Sequence, residues 1–190
     1  MFALSLFLSL AQSVPTLGRA ERTAIFRAAG AYYYPKRGWA LQFDTDHFER
    51  ARIVRYSDLN GDGRPEAVVE QDSDMWYGNH GPGNFLLTKQ ASGKWRKVRI
   101  GGAEVFGDEP RGGLEFMKTR GFGGWPDIMV ERVVGSGCDL IFRFDGKRYA
   151  LNRIRFEEDA VGRVFILDPR KYDIGCNPRK QRMPRTHKAG

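Results

Sequence analysis

Gly63-Arg64-Pro65-Glu66-Ala67-Val68-Val69-Glu70 has a counterpart in Gly124-Trp125-Pro126-Asp127-Ile128-Met129-Val130-Glu131. Both read Gly, any residue, Pro, an acid, two apolar residues, Val and Glu. A second apolar run follows each, Phe85-Leu86-Leu87 in one and Leu140-Ile141-Phe142 in the other. Then comes a Gly-Lys turn with an aromatic, Gly93-Lys94-Trp95 and Gly146-Lys147-Arg148-Tyr149. Self-similarity of this kind marks one supersecondary unit used twice. The unit reads as a three-strand meander over about 51–100 and 114–156, with a longer loop in the first copy, Asp72 to Gly83.

Outward from the repeat, alternating or β-branched runs recur. They lie at Ala51–Tyr56, Pro65–Glu70, Asn84–Thr88, Trp95–Ile100, Leu114–Lys118, Asp127–Val134, Asp139–Phe144, Arg148–Phe156 and Arg163–Leu167. Ala31-Tyr32-Tyr33-Tyr34 before Pro35 reads as a further strand and a turn. Arg19–Ala29 reads as one short N-terminal helix, with Ala20, Ala24, Ile25 and Ala28 on a shared face and Gly30 as its stop. Short strands between Gly-rich turns predict an all-β fold of repeated antiparallel meanders. Two copies are too few to close an ordinary propeller of about 4–8 blades. The expected architecture is propeller-like, with degenerate copies before 51 and after 156, or a face-to-face sandwich.

The chain has 190 residues, 41% of them hydrophobic, which suits one domain with a real core. It is too short for a (β/α)₈ barrel enzyme, which needs ~250 residues. No apolar run reaches the ~18 residues of a membrane helix, so an integral membrane protein is not expected. Met1 to Ala11 is apolar and uncharged, and Ser9 and Ala11 are small residues at minus three and minus one of a cleavage site. That is the pattern of a secretory leader, although no Lys or Arg precedes the apolar run. A short core segment is the alternative. The expected division is a leader over 1–18, a single β domain over 19–176 and a disordered basic tail over 177–190.

Export agrees with the cysteines. Cys138 and Cys176 are the only two, and in an oxidising compartment such a pair is most simply a disulfide. Two buried free thiols are the alternative. Closing a loop of about 38 residues would stabilise by roughly 3–4 kcal/mol. The expected location is periplasmic or secreted. The net charge of +8 comes largely from Arg179, Lys180, Arg182, Arg185 and Lys188, which stand with Pro178 and Pro184 in a stretch lacking acids. A solvated tail accounts for it. No base-stacking pattern or zinc-finger spacing supports a nucleic-acid partner.

The sharpest motif is Asp58-Leu59-Asn60-Gly61-Asp62-Gly63-Arg64-Pro65-Glu66. Oxygen donors recur at positions 1, 3, 5 and 9, and Gly at position 6 permits the sharp turn of a calcium loop. Asp58, Asn60 and Asp62 would give side-chain oxygens and Arg64 its backbone carbonyl. Glu66 would close the site directly or through water. Position 12 is Val69 rather than a bidentate Glu, and a strand follows instead of a helix, so this is not an EF-hand. The run resembles the short calcium loops of FG-GAP-type repeats, in which Asp-x-Asp-Gly-Asp-Gly-x-x-Asp leads straight into a strand. Asn60 and Glu66 depart from the all-Asp form. The resemblance implies a bound Ca²⁺ on a β fold. The same Asn-Gly and Asp-Gly pairs also make metal-free tight turns. In the second copy Phe122-Gly123-Gly124-Trp125 replaces the carboxylates, so that copy is expected to hold no metal.

No catalytic constellation stands out, and an enzyme is not expected. His47, His80 and His187 are the only histidines and make no His-Glu-x-x-His pattern. Gly135-Ser136-Gly137-Cys138 is a Gly-rich turn, not a nucleophile elbow. Glu104, Asp108, Glu109 and Glu115 would be the material for a glycosidase pair, but solvated loop acids are the better explanation. A binding module remains. The lengthened loop carries Trp76, Tyr77 and His80 in a polar, Gly-rich frame suited to recognition; a lid packing Trp76 on its own sheet is the alternative. The chain is similar to small bacterial periplasmic calcium-binding proteins that inhibit peptidoglycan hydrolases. That similarity implies an envelope protein as partner and gives Ser136, followed by Gly137, as a further contact residue. The competing expectation is a small envelope hydrolase or glycan-binding domain with structural calcium.

Overall fold

Ala67-Val68-Val69 has no polar side because the strand it forms is covered on both faces. In the computed structural model, which describes residues 16–41, 48–71, 83–101, 114–130, 138–158 and 163–169, that strand is β4 (Glu66–Gln71) of a central four-stranded sheet. Its neighbours are β3 (Arg52–Ser57), β5 (Gly83–Lys89) and β6 (Trp95–Lys97), in the order β3-β4-β5-β6. One face carries Ala67, Val69, Phe85 and Leu87 against Ile25, Phe26 and Ala29 of helix α1 (Arg19–Ala29). The other face carries Val68 and Leu86 against a second sheet.

The second sheet is a five-stranded meander of β7 (Leu114–Arg120), β8 (Pro126–Val130), β9 (Cys138–Phe144), β10 (Tyr149–Glu158) and β11 (Arg163–Leu167), in the order β11-β10-β9-β8-β7. Ile128, Val130, Leu140, Phe142, Phe144 and Ile154 supply its half of the core. Strands β1 (Tyr32–Tyr34) and β2 (Gly38–Ala40) form a small separate hairpin. Every sheet is antiparallel. Among the described residues the fold is all-β with one short α-helix, and its two large sheets are stacked like a sandwich and close no barrel.

Both copies of the repeat motif occupy the same place, the turn before the second strand of a meander. β4 and β8 are the most deeply buried strands of their sheets. Three expectations are corrected. Helix α1 buries Ile25, Phe26 and Ala29 with Ala28 packed beside them, while Ala20 and Ala24, expected on the same face, are exposed; Ile25 and Phe26 carry most of the apolar area and set which face meets the core. Trp95–Ile100 is not one strand. β6 stops at Lys97, and Ile100 makes a parallel bridge to Tyr149 of the other sheet. The Tyr149 N–H donates to the Arg99 carbonyl at 2.8 Å, so this segment sews the sheets together. The third is β2, which the sequence reading lacked. Gly30 ends the helix in the left-handed region (φ 89°), with Ala31 N–H donating to the Phe26 carbonyl at 2.9 Å.

Candidate calcium loop

The β3–β4 connection, residues 58–65, is shaped by its own polar side chains. Asp58 accepts the Gly61 N–H on Oδ1 at 2.8 Å and the Gly63 N–H on Oδ2 at 2.9 Å. Asn60 Oδ1 accepts the Asp62 N–H at 2.9 Å, and Asp62 Oδ1 accepts the Arg64 N–H at 2.8 Å. Gly61 and Gly63 adopt positive φ of 80° and 81°, a conformation glycine takes without strain. These bonds curl the chain so that donors one, three and five follow one another around a single bend. Burial of the Asp58 carboxyl is outweighed by the backbone N–H groups of Gly63, Gly61, Asp62 and Asn60, which hold it below the usual carboxylate range.

Glu66 differs from the exposed loop acids. It is fully buried at the start of β4. Its Oε2 accepts the Leu59 N–H at 2.8 Å and its Oε1 accepts the Thr88 hydroxyl at 2.8 Å. Burial pushes its carboxyl up, more than those two bonds lower it, and Asp62 and Asp58 add to the push. Arg64, expected as a backbone donor, brings its side chain instead. Its Nη2 sits 2.6 Å from Asp62 Oδ2, and its Nε donates to the Lys89 carbonyl at 3.1 Å. Among the described residues, no group of three or more His, Cys, Asp or Glu gathers into a metal site. The expected donor set also draws on the Asn60 amide and the Arg64 carbonyl. Its chemistry, hard oxygens on a glycine-rich bend, fits Ca²⁺.

The second copy answers the same structural problem differently. Asp127 stands where Glu66 stands in the first and is 2% exposed. It accepts Arg143 Nε at 2.9 Å and Nη2 at 2.7 Å, and the Thr119 hydroxyl at 2.7 Å. Burial works to raise its carboxyl, but the Arg143 and Thr119 bonds outweigh it and hold Asp127 below the usual range. Its loop is a short 3₁₀ turn, Phe122–Gly124, packed directly on the first loop. Arg120 Nη1 donates to the Leu59 carbonyl at 2.6 Å and to the Gly124 carbonyl at 3.1 Å. A Cβ on Gly124 would lie 2.4 Å from the Asn60 carbonyl oxygen. The sequence reading missed Arg143, Arg120 and the Arg64 side chain. Only Asp127 left a trace there, as the acid aligned with Glu66.

Trp76, Tyr77, His80, Ser136 and Cys176 fall outside the described residues, and with them the partner loop and the Cys138–Cys176 disulfide; Cys138 opens β9. The same holds for Glu104, Asp108, Glu109 and all three histidines, whereas Glu115 is an exposed residue of β7. The strand ends that lead to the partner segments are described. Gln71 pairs with Gly83, where 72–82 leaves its sheet, and Val130 pairs with Leu140 close to where 131–137 leaves. Both pairs lie at the end opposite the calcium loop, since β4 places roughly 17 Å between Glu66 and Gln71. Between these far ends is a cavity of about 270 Å³ lined by Val54, Arg55, Val68, Glu70, Asn84, Leu114 and Phe116. No family model, no curated protein and no solved structure matches the chain.

Proposed function

We propose that this chain is an exported, non-catalytic calcium-binding protein that docks onto another protein of the cell envelope, in the periplasm or outside the cell. One observation carries the calcium reading. Two repeats bury an acid at the same position, and only the second supplies a cation for it among the described residues. Asp127 has the Arg143 guanidinium. Glu66 has a backbone N–H, a hydroxyl and two neighbouring carboxylates that push its proton affinity up. A divalent cation held by Asp58, Asn60, Asp62, the Arg64 carbonyl and Glu66 would supply the missing charge, in agreement with the resemblance to FG-GAP loops. It would bind in competition with Arg64 for Asp62.

The docking reading is supported by the shared end from which 72–82 and 131–137 leave the two sheets, since those segments carry Trp76, Tyr77, His80 and Ser136. A peptidoglycan hydrolase is the partner class the resemblance implies. The test is calorimetric titration with CaCl₂, and melting in calcium and in excess chelator, beside Asp62→Ala and Glu66→Gln. Calcium at a hundred times its Kd should add about 2.7 kcal/mol, and both variants should lose that gain. An unchanged melting temperature would remove calcium from the account. Inhibition of a muramidase, measured in calcium and in chelator, tests the partner class. No envelope protein retained at micromolar concentration in either condition would end the docking reading.

A further inference from the structure

A second feature is independent of the calcium loop. The β1–β2 turn and the segment entering β3 face each other across a cleft of about 630 Å³, lined by Lys36, Arg37, Phe48, Glu49, Arg50 and Arg52. Four of these six described lining residues are cations and one is an acid. Lys36, Arg37, Arg50 and Arg52 are all exposed.

Three of the four cations rest on a neighbouring residue. The Arg37 guanidinium lies 5.6 Å from the centre of the Phe48 ring, and that ring meets Tyr34 edge-on at 5.6 Å. The Arg50 stem crosses β2 over Gly38, where an added Cβ would touch it at 3.7–4.0 Å. Arg52 is anchored on Glu70 at 3.1 Å. Lys36 is the one non-glycine among the described residues with a left-handed backbone, φ 67°. A long side chain in that region costs free energy that Gly or Asn would avoid. The turn keeps the strain, and its side chain lines the cleft.

We propose that this cleft binds a phosphate-bearing anion. Lys36 and Arg37 border the cleft on one side and Arg50 and Arg52 on the other, Arg52 also holding Glu70, and a phosphate offers more acceptor oxygens and more charge than a single carboxylate can. The volume exceeds a bare phosphate and falls in the ~300–1,000 Å³ range of small-molecule sites. The ligand therefore carries its phosphate on a larger body, for which the Phe48 ring is the apolar wall.

The test is titration of the full chain with tripolyphosphate in metal-free, low-salt buffer, so that its outcome does not depend on the calcium site. Lys36→Gly removes one cation and relieves the turn. It should weaken binding about tenfold, as for loss of one charge-assisted contact, and melt no lower than the parent. Arg50→Gln should weaken binding by a similar factor. Arg96→Gln, an exposed cation on β6, should change it less than twofold. Vesicles of phosphatidylglycerol in phosphatidylcholine form the second arm. Retention on them that falls in the same two variants assigns the phosphate to a lipid headgroup. Tripolyphosphate binding without vesicle retention assigns it to a soluble ligand. No heat at millimolar tripolyphosphate overturns the proposal. So does equal weakening by Arg96→Gln, which would reduce the effect to general attraction by a basic chain.

Discussion

Gly124→Ala tests whether the two repeat loops are one structural unit. The substitution adds a single methyl group, yet two costs meet there. Gly124 has φ 78°, and a non-glycine residue in the left-handed region loses about 1–2 kcal/mol. The new Cβ would also lie 2.4 Å from the Asn60 carbonyl oxygen. That atom is backbone and cannot rotate away, so the loops must separate at a further cost of roughly 1–3 kcal/mol. Gly123→Ala is the matched control. It has φ 61° and only an ordinary 3.7 Å contact to Trp125, so it bears the first cost alone. The difference between the two variants, about 1–3 kcal/mol, isolates the contact between loops. At roughly 2–4 °C per kcal/mol for a domain of this size, Gly124→Ala should melt about 2–12 °C below Gly123→Ala. Parallel denaturant titrations give the free energies directly. Because the displaced atom belongs to Asn60, calcium should also bind Gly124→Ala more weakly than Gly123→Ala. Equal melting of the two variants would refute the contact, and with it the idea that the second turn holds the first loop in shape.

Three further outcomes are expected. Burial raises the Glu66 carboxyl, so without metal its contribution to stability is full at low pH. It declines as pH rises from the unfolded carboxyl range through the folded value. Glu66→Gln can keep both hydrogen bonds, so in chelator at neutral pH it should melt as high as the parent or higher; a clear drop would show the charge is already neutralised. Removing Arg143 strands a buried carboxylate, whereas removing Asp127 leaves a guanidinium that is 38% exposed. Arg143→Ala should therefore cost roughly 3–5 kcal/mol and Asp127→Asn distinctly less, and equal losses in urea unfolding would contradict that asymmetry. Arg64→Gln frees an oxygen of Asp62 from an exposed ion pair, so calcium affinity should rise roughly two- to fivefold; weaker binding by titration would mean that Arg64 supports the site instead of competing for it.

Much of the fold was legible because hydrophobic pattern reports burial. Ala67-Val68-Val69 and Ile128-Met129-Val130 are apolar on both sides, and both strands are covered on both faces. The helix span and its Gly30 stop were equally readable, since a left-handed stop favours glycine. Strand β1 and the turn at Pro35 were readable as well, but β2 was not, because it is three residues long and the left-handed turn residue ahead of it is a lysine. No Asn-Gly or Asp-Gly marks the spot. The break in Trp95–Ile100 was hidden for another reason. Val98 and Ile100 are buried in the core shared by the two sheets, so apolar pattern alone does not say which sheet a residue joins. In the loop, the spacing of Asp58, Asn60 and Asp62 showed the bend. The partners that set its electrostatics lie far along the chain, as Thr88 does for Glu66 and Arg120 for Leu59.

The two repeats illustrate how one backbone frame tolerates two answers to a buried charge. The strand after Gly-x-Pro begins with an acid whose side chain enters the layer beneath its own turn. In both copies the residue that meets it lies on the next strand, Thr88 on β5 and Arg143 on β9. Arginine there neutralises the acid permanently and lets the turn shrink to Phe122–Gly124. Threonine leaves the charge in place, and the longer loop above it gathers Asp58 and Asp62. A cation at that loop would then act where Arg143 acts in the second copy, as an exchangeable counter-ion instead of a covalent one. This equivalence has a direct consequence. In Thr88→Arg the new guanidinium would stand opposite Glu66, as Arg143 stands opposite Asp127. The variant should lose its melting response to calcium and melt in chelator at least as high as the parent does. A Thr88→Arg protein that still gains stability from calcium would separate the two sites chemically and break the analogy on which the calcium assignment rests.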